Sequence, residues 1–142
     1  MRNFINIVEN VSIVYHGGGR QFTGQLYFPF FVSRDIEVAE SYAIDRGGEV
    51  YCFNYHPQKT ADAGVVDEVA QSLGIGDDQM PTYEFLSPNV YHRAQEIIDQ
   101  LVHDGYDTVE FWDFAPSSDF NEVPAIAVLR AGVLSEGRTF HQ

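Results

Sequence analysis

The fourteen residues FFVSRDIEVAESYA, positions 30–43, contain a change of hydrophobic period that predicts a strand followed by a helix. The apolar run at 26–32 is interrupted by Pro29, which is typical of a bulged edge strand or of two extended pieces. Ser33 or Asp35 can then cap a helix. Apolar residues follow at spacings of three and four, the pattern of one buried helix face. They are Ile36, Ala39, Tyr42 and Ala43.

Further strands and helices are predicted on both sides of this stretch. Residues 11–16 alternate as a strand that ends at the triple glycine 17–19, and residues 49–56, EVYCFNYH, alternate most clearly. Two helices follow, one over 61–73 ending at Gly74 and one capped by Asn89 and closed by Gly105. Residues 80–88 are predicted as a loop, and two late strands cover 108–112 and 125–129. The α+β class accommodates this order of elements.

Length and composition predict one ordinary globular domain. The chain has 142 residues, including 11 Phe and 8 Tyr, so a core can form without disulfides or a metal. The single cysteine, Cys52, cannot form an internal disulfide, which favours a reducing, cytoplasmic location. The N-terminus lacks the apolar stretch of a signal peptide, and no apolar run reaches the roughly 18 residues of a membrane span.

The negative charge is concentrated in one part of the chain. The formal net charge is −13, and fourteen of the 21 acidic residues lie between positions 61 and 122, where Arg93 is the single basic residue. Such a field opposes binding to phosphates, which argues against direct contact with DNA or RNA. It suits a basic protein partner. The alternative is that these acids form a solvated surface that keeps a small domain in solution.

The sequence lacks the common nucleotide and metal motifs. The triple glycine is followed by Arg20 and Gln21 instead of Lys-Ser, so it is not a P-loop, and no GxGxxG opens a helix. His92 and His103 lie 11 residues apart on one predicted helix. That spacing corresponds to about 16 Å, too far for two ligands of one ion. No metal is expected.

Three separated segments together carry a family resemblance: YHGGG at 15–19, FFVSRDIEVAESYA at 30–43 and FNEVPAIAVL at 120–129. They resemble the ADP-ribosyltransferase fold of the diphtheria toxin and poly(ADP-ribose) polymerase type. That family has a His-Gly on the first strand, an aromatic residue on a second, a tyrosine on the next helix and a glutamate at a late strand. The resemblance implies one domain over residues 1–142, a split and bent β-sheet with flanking helices, and NAD as substrate.

The resemblance implies roles for the residues of the first two segments. His16 would bond the adenosine ribose of NAD. The backbone of Gly17, with Gly18 beside it, would hold the carboxamide of nicotinamide, since a glycine permits close approach. Tyr42 would stack on the nicotinamide ring, and Phe31 would form the opposite wall. Each residue also has a structural interpretation, because a histidine at a strand end and a tyrosine on an apolar helix face are common core residues.

The pyrophosphate of NAD needs a positive group in an otherwise negative protein. Three arginines lie near the segments, at positions 20, 34 and 46. Arg20 is the first candidate because it directly follows the glycines.

A carboxylate near the ribose would stabilise the oxocarbenium-like transition state of NAD cleavage. Glu122 is the first candidate, while Asp113 at the end of the preceding strand and Asp119 are alternatives. Two positions depart from the family pattern. Phe31 replaces the usual tyrosine and keeps stacking without the hydroxyl, and Ala39 stands where many relatives have a serine.

The short chain, the first-strand histidine and the Phe-rich second strand are similar to small phage-encoded anti-CRISPR ADP-ribosyltransferases, which modify a subunit of a CRISPR surveillance complex. This resemblance implies a toxin-like glycosyltransferase in the host bacterial cytoplasm, adding one ADP-ribose to a basic protein such as a CRISPR effector subunit. Two rivals remain. An NAD glycohydrolase toxin would use water as acceptor, and a non-enzymatic acidic inhibitor would occupy a basic nucleic-acid-binding surface.

Overall fold

The computed structural model describes residues 12–19, 26–76, 80–114 and 122–140. Within these ranges the chain forms seven strands in two β-sheets and four helices. The α+β class predicted from the sequence is therefore confirmed.

The smaller sheet is antiparallel, with strand order β1-β3-β7. Its strands are β1 Ser12–Gly17, β3 Val50–Tyr55 and β7 Leu134–Thr139. β1 pairs with β3 along its whole length, and Gly17 lies opposite Val50. Because side chains alternate along a strand, Val14 and His16 face one side of this sheet, and Tyr15 and Gly17 face the other.

The larger sheet has strand order β2-β6-β5-β4. Its strands are β2 Phe30–Val32, β4 Thr60–Ala61, β5 Thr108–Phe114 and β6 Glu122–Val128. Only the pairing of β4 with β5 is parallel. β2 is a short strand at the edge of this sheet, directly after Pro29, which agrees with the edge-strand interpretation of the sequence.

The two sheets meet at one backbone bridge and share a core. Tyr15 N donates to Ser33 O at 2.8 Å, and Ser33 N donates to Tyr15 O at 2.9 Å. Buried side chains from both sheets pack between them, together with Val133, which directly precedes β7. They are Val14, Phe30, Val32, Phe53, Tyr55, Ile126, Val128 and Val133. The bridge brings the end of β1 beside β2, which is where the family resemblance predicts a binding cleft.

Helix α1, Ile36–Arg46, packs on the smaller sheet. Its N-cap is Asp35, whose carboxylate accepts a hydrogen bond from Glu37 N at 2.9 Å. The helix ends at Gly47, whose φ of 73° lies in the left-handed region that favours glycine. The small buried side chains of Ala39 and Ala43 let the helix lie close to β1.

Three further helices cover the other face of the larger sheet: α2 Ala63–Ser72, α3 Thr82–Phe85 and α4 Ala94–His103. Their apolar side chains form a second core with Val109, Phe111 and Ala127 of the sheet. Among the described residues, none of the helices is both long and apolar enough to cross a membrane.

Several predicted boundaries were wrong. The late helix begins at Ala94 with Arg93 at its N-cap, whereas Asn89 belongs to the preceding turns. Val90 is 58% exposed instead of lying on the buried stripe. The predicted loop at 80–88 contains α3, and the helix predicted over 61–73 begins only at residue 63, after the short strand β4. β7 was not predicted.

Candidate functional site

A cavity of about 100 Å³ lies where α1, β1 and β2 meet the ends of β5 and β6. Five residues singled out from the sequence line this cavity. They are His16, Gly17, Phe31, Tyr42 and Asp113. Ala39 lines it as well, at the position where a serine is common in the resembled family. The fold thus brings together residues that are spread over most of the chain.

His16 is held in one orientation by its neighbours. Its Nδ1 lies 2.7 Å from the carbonyl oxygen of Phe31, and its ring stacks on Phe30 with centroids 4.2 Å apart. Burial lowers the pKa of His16, although the bond to the Phe31 carbonyl opposes this shift. The neutral ring must carry its proton on Nδ1 to donate to that carbonyl, so Nε2 is a hydrogen-bond acceptor.

Gly17 lies directly beneath helix α1. A Cβ at this position would be 2.1 Å from the carbonyl oxygen of Ala39 and 2.7 Å from the backbone nitrogen of Ala43. Only glycine fits such a close approach of helix and strand. The carbonyl oxygen of Gly17 accepts a hydrogen bond from Arg46 Nη1 at 3.1 Å. Gly18 is not among the residues found to line the cavity, and its N–H donates to Glu49 O at 2.9 Å.

Aromatic side chains form two walls of the cavity. Tyr42 projects from α1, and Phe31 lies on β2. The ring of Tyr83 packs against Phe31 with centroids 5.3 Å apart and also lines the cavity. Tyr83 was missed in the sequence because its segment was predicted as a loop. The TYEF sequence flanked by two prolines was the available signal for a short helix that begins after Pro81.

Among the residues that the structure describes, Asp113 is the carboxylate that lines the cavity, and Glu122 is not one of the lining residues. Asp113 pairs with Val123 across β5 and β6, so both side chains are on the cavity face. Glu122 pairs with Phe114, one residue out of phase, and is exposed on the opposite face. Glu122 was the first candidate acid and Asp113 an alternative, and of these two residues Asp113 is the one that lines the cavity. Asp119 lies outside the described residues.

Asp113 lies close enough to Tyr42 to influence its ionisation. Burial raises the pKa of the Tyr42 hydroxyl, and the negative charge of Asp113 raises it further. The phenol is therefore neutral at physiological pH. A neutral phenol and a carboxylate across one small cavity suit a ligand that is flat and positively charged.

The three candidate arginines have different positions. Arg20 lies outside the described residues. Arg34 is paired with Glu110, whose side chain is on the other face of the larger sheet. Arg46 is the one cation among the described residues that lines the cavity, and its guanidinium carbon lies 4.9 Å from the centroid of the Tyr42 ring.

Comparison of the chain with protein-family models, with curated proteins and with solved structures finds no match. In the described part of the chain, no group of three or more His, Cys, Asp or Glu side chains is arranged to hold a metal ion.

Proposed function

We propose that the protein is an NAD-dependent mono-ADP-ribosyltransferase that modifies a protein side chain. The observation that carries the proposal is the shared cavity. His16, Tyr42, Phe31 and Asp113 come from four different elements and all line it. The family resemblance implies roles in NAD binding for His16, Tyr42 and Phe31, and Asp113 is an alternative to Glu122 as the acid.

Binding would use the two aromatic walls and the histidine. The nicotinamide ring of NAD is planar and positively charged, so it would stack between Tyr42 and the wall formed by Phe31 and Tyr83. The Nε2 atom of neutral His16 would accept a hydrogen bond from a ribose hydroxyl. Because burial favours the neutral form, this acceptor is present at physiological pH.

Cleavage would use the carboxylate of Asp113. The bond between C1 of the ribose and the nicotinamide nitrogen breaks, its electron pair leaves with nicotinamide, and positive charge develops on the ribose ring. A negative group beside the ribose stabilises that charge more in the transition state than in the ground state. A nucleophilic side chain of the target protein then donates an electron pair to C1, and its proton is released to water. No metal is required for these steps.

The acidic surface supports a basic target, such as a subunit of a nucleic-acid-binding complex. Most of the excess negative charge lies between residues 61 and 122. A surface of this sign accelerates encounter with a protein that displays lysine and arginine. A CRISPR effector subunit is one target of this kind.

The test is labelling of a bacterial lysate with biotinylated NAD by the wild type and two isosteric variants. Asp113→Asn is expected to lower the labelling rate by a factor of about 10² to 10³, typical for loss of one electrostatic stabiliser. Glu122→Gln is the matched control and is expected to stay within a few-fold of the wild type.

The other outcomes of this experiment would each support one of the alternative interpretations. Loss of labelling in Glu122→Gln alone would make Glu122 the acid and overturn the role of Asp113. Consumption of NAD without a labelled protein would indicate a glycohydrolase. An intact protein that neither labels proteins nor consumes NAD would leave the acidic inhibitor as the better account.

A further inference from the structure

Arg46 makes two contacts inside the candidate NAD pocket. It is the last residue of α1, one turn after Tyr42. Its Nη1 donates to the carbonyl oxygen of Gly17 at 3.1 Å, and its guanidinium lies over the Tyr42 ring, 4.9 Å from the centroid. The side chain therefore covers both the backbone acceptor and the aromatic face at this end of the cavity.

These contacts match those expected of nicotinamide. A guanidinium is flat, its positive charge is delocalised, and its N–H groups donate hydrogen bonds. The nicotinamide ring of NAD is also flat and positively charged, and its carboxamide carries an N–H donor. In the proposed mode it would stack on Tyr42 and donate to Gly17 O, so it and Arg46 would compete for the same two partners.

The volume of the cavity agrees with an occupied subsite. Pockets for small molecules and cofactors typically have volumes of about 300–1,000 Å³. The cavity measures about 100 Å³ with the Arg46 side chain on its wall. This volume lies below that range, and Arg46 is exposed at the rim, where its side chain can swing out and enlarge the cavity.

We infer that Arg46 occupies the nicotinamide subsite of the free protein and must leave it before NAD can bind. The inference rests on the proposed function, since it assumes that NAD is the ligand. A ligand that binds only the open form has its apparent affinity reduced by the fraction of molecules that are open. Arg46 thus sets how much NAD the protein needs, without taking part in the chemistry.

The opposite role is the pyrophosphate contact that the sequence also allows for Arg46. The two roles differ in sign. A pyrophosphate contact strengthens NAD binding, so its removal raises the dissociation constant. A side chain that occupies the subsite weakens NAD binding, so removal of that side chain lowers the dissociation constant.

The test is calorimetric titration of NAD into the wild type, Arg46→Ala and Arg130→Ala. Arg130 is exposed, is not among the residues lining the cavity and carries the same charge, so its variant controls for the change in net charge. We expect Arg46→Ala to lower the dissociation constant by about tenfold, as for loss of one charged hydrogen bond. Arg130→Ala should stay within a factor of about two.

Steady-state kinetics provide a second readout. Arg46→Ala should lower KM for NAD, because a larger fraction of the molecules is then open to NAD. Arg46→Gln keeps an N–H donor for Gly17 but loses the charge, so it should be intermediate. It also serves if the alanine variant does not fold.

The failures of the two proposals are separable. NAD binding by the wild type with equal or weaker binding by Arg46→Ala would overturn the role of Arg46 and leave the proposed function intact. Absence of NAD binding by folded wild type and folded Arg46→Ala would overturn both.

Discussion

Gly17 illustrates how one residue without a side chain determines the shape of the site. A methyl group there would meet backbone atoms of α1, which cannot rotate away as a side chain can. Gly17→Ala is therefore expected to destabilise the protein by about 3 kcal/mol, the upper range for an overpacked core. Urea unfolding followed by circular dichroism measures this change.

Gly19 provides the matched control within the same triple glycine. The nearest atom to a Cβ at Gly19 is Arg46 Cβ at 3.6 Å, an ordinary contact. Gly19→Ala should change the free energy of unfolding by less than about 0.5 kcal/mol. Equal costs at both positions would mean that the glycines serve only as a flexible turn.

His16 predicts a pH dependence of stability. Its pKa in the folded protein is lower than the unfolded value of about 6.5, so the unfolded chain binds the proton more readily. The contribution of neutral His16 to the free energy of unfolding is therefore fully present above about pH 6.5. It is lost as the pH falls from there towards the pKa of the folded protein. Each unit of pKa difference corresponds to about 1.4 kcal/mol.

The measurement is urea unfolding at about pH 7.5 and about pH 5.5 for the wild type and His16→Asn. Asparagine can still donate to the Phe31 carbonyl but does not titrate in this range. The wild type should lose more stability than the variant on acidification. An equal loss in both proteins would show that other groups cause the whole pH dependence.

The choice between Asp113 and Glu122 shows what the sequence could and could not predict about single residues. Most residues to which the family resemblance assigns a role line the cavity. The resemblance does not fix which carboxylate faces it, because a shift of one residue along a strand moves a side chain to the other face of the sheet. β6 has apolar residues on both faces, so its pattern alone leaves the face of Glu122 open. Asp113 shares the phase of Val109 and Phe111, and this was the usable signal.

Among the elements, β3 and β5 are tied together by Tyr55. This buried side chain donates from its hydroxyl to Glu110 Oε2 at 3.1 Å, and Arg34 pairs with the same carboxylate. Hydrogen bonds to charged groups contribute about 1.5–3 kcal/mol. Tyr55→Phe should therefore lower the free energy of unfolding by about 1.5 kcal/mol, as measured by urea titration.

The control for this variant is Tyr27→Phe. Tyr27 is 70% exposed, so loss of its hydroxyl should change stability by less than about 0.5 kcal/mol. If Tyr55→Phe is as mild as this control, the hydrogen bond from Tyr55 to Glu110 does not contribute measurably to holding the two sheets together.

Helices and strands were predicted where apolar residues recur at regular spacings. They were missed where backbone pairing with a neighbouring strand alone defines the element. α1 was predicted from apolar residues at spacings of three and four, and β3 was predicted from alternating residues. β7 has the sequence LSEGRT and a largely exposed pattern, and backbone pairing with β3 makes it a strand. The late helix starts only after residues 87–93, because the backbone groups of that segment form turn hydrogen bonds instead of helical ones. Helix propensity alone does not predict which of the two forms.

For the whole molecule, the unbalanced charge predicts a response to salt. A net charge of −13 makes the folded chain repel itself, and ions screen exposed charges over about 10 Å at 0.1 M. Raising the salt from about 0.01 M to about 0.3 M should increase the free energy of unfolding by about 1 kcal/mol. Unfolding curves in NaCl and in KCl should agree, because screening depends on ionic strength. A decrease in stability would show that attractive pairs outweigh the repulsion.

Trp112 gives the molecule an optical property of its own. It is the single tryptophan of the chain, it is 64% exposed, and it precedes Asp113 on β5 with its side chain on the opposite face of the sheet. All indole fluorescence therefore comes from one point behind the cavity. A small molecule that fills the cavity leaves that indole exposed to water, so its emission does not shift. A protein that covers the other face of the sheet excludes water from the indole and shifts its emission to the blue. One emission spectrum thus separates a ligand in front of the sheet from a partner behind it.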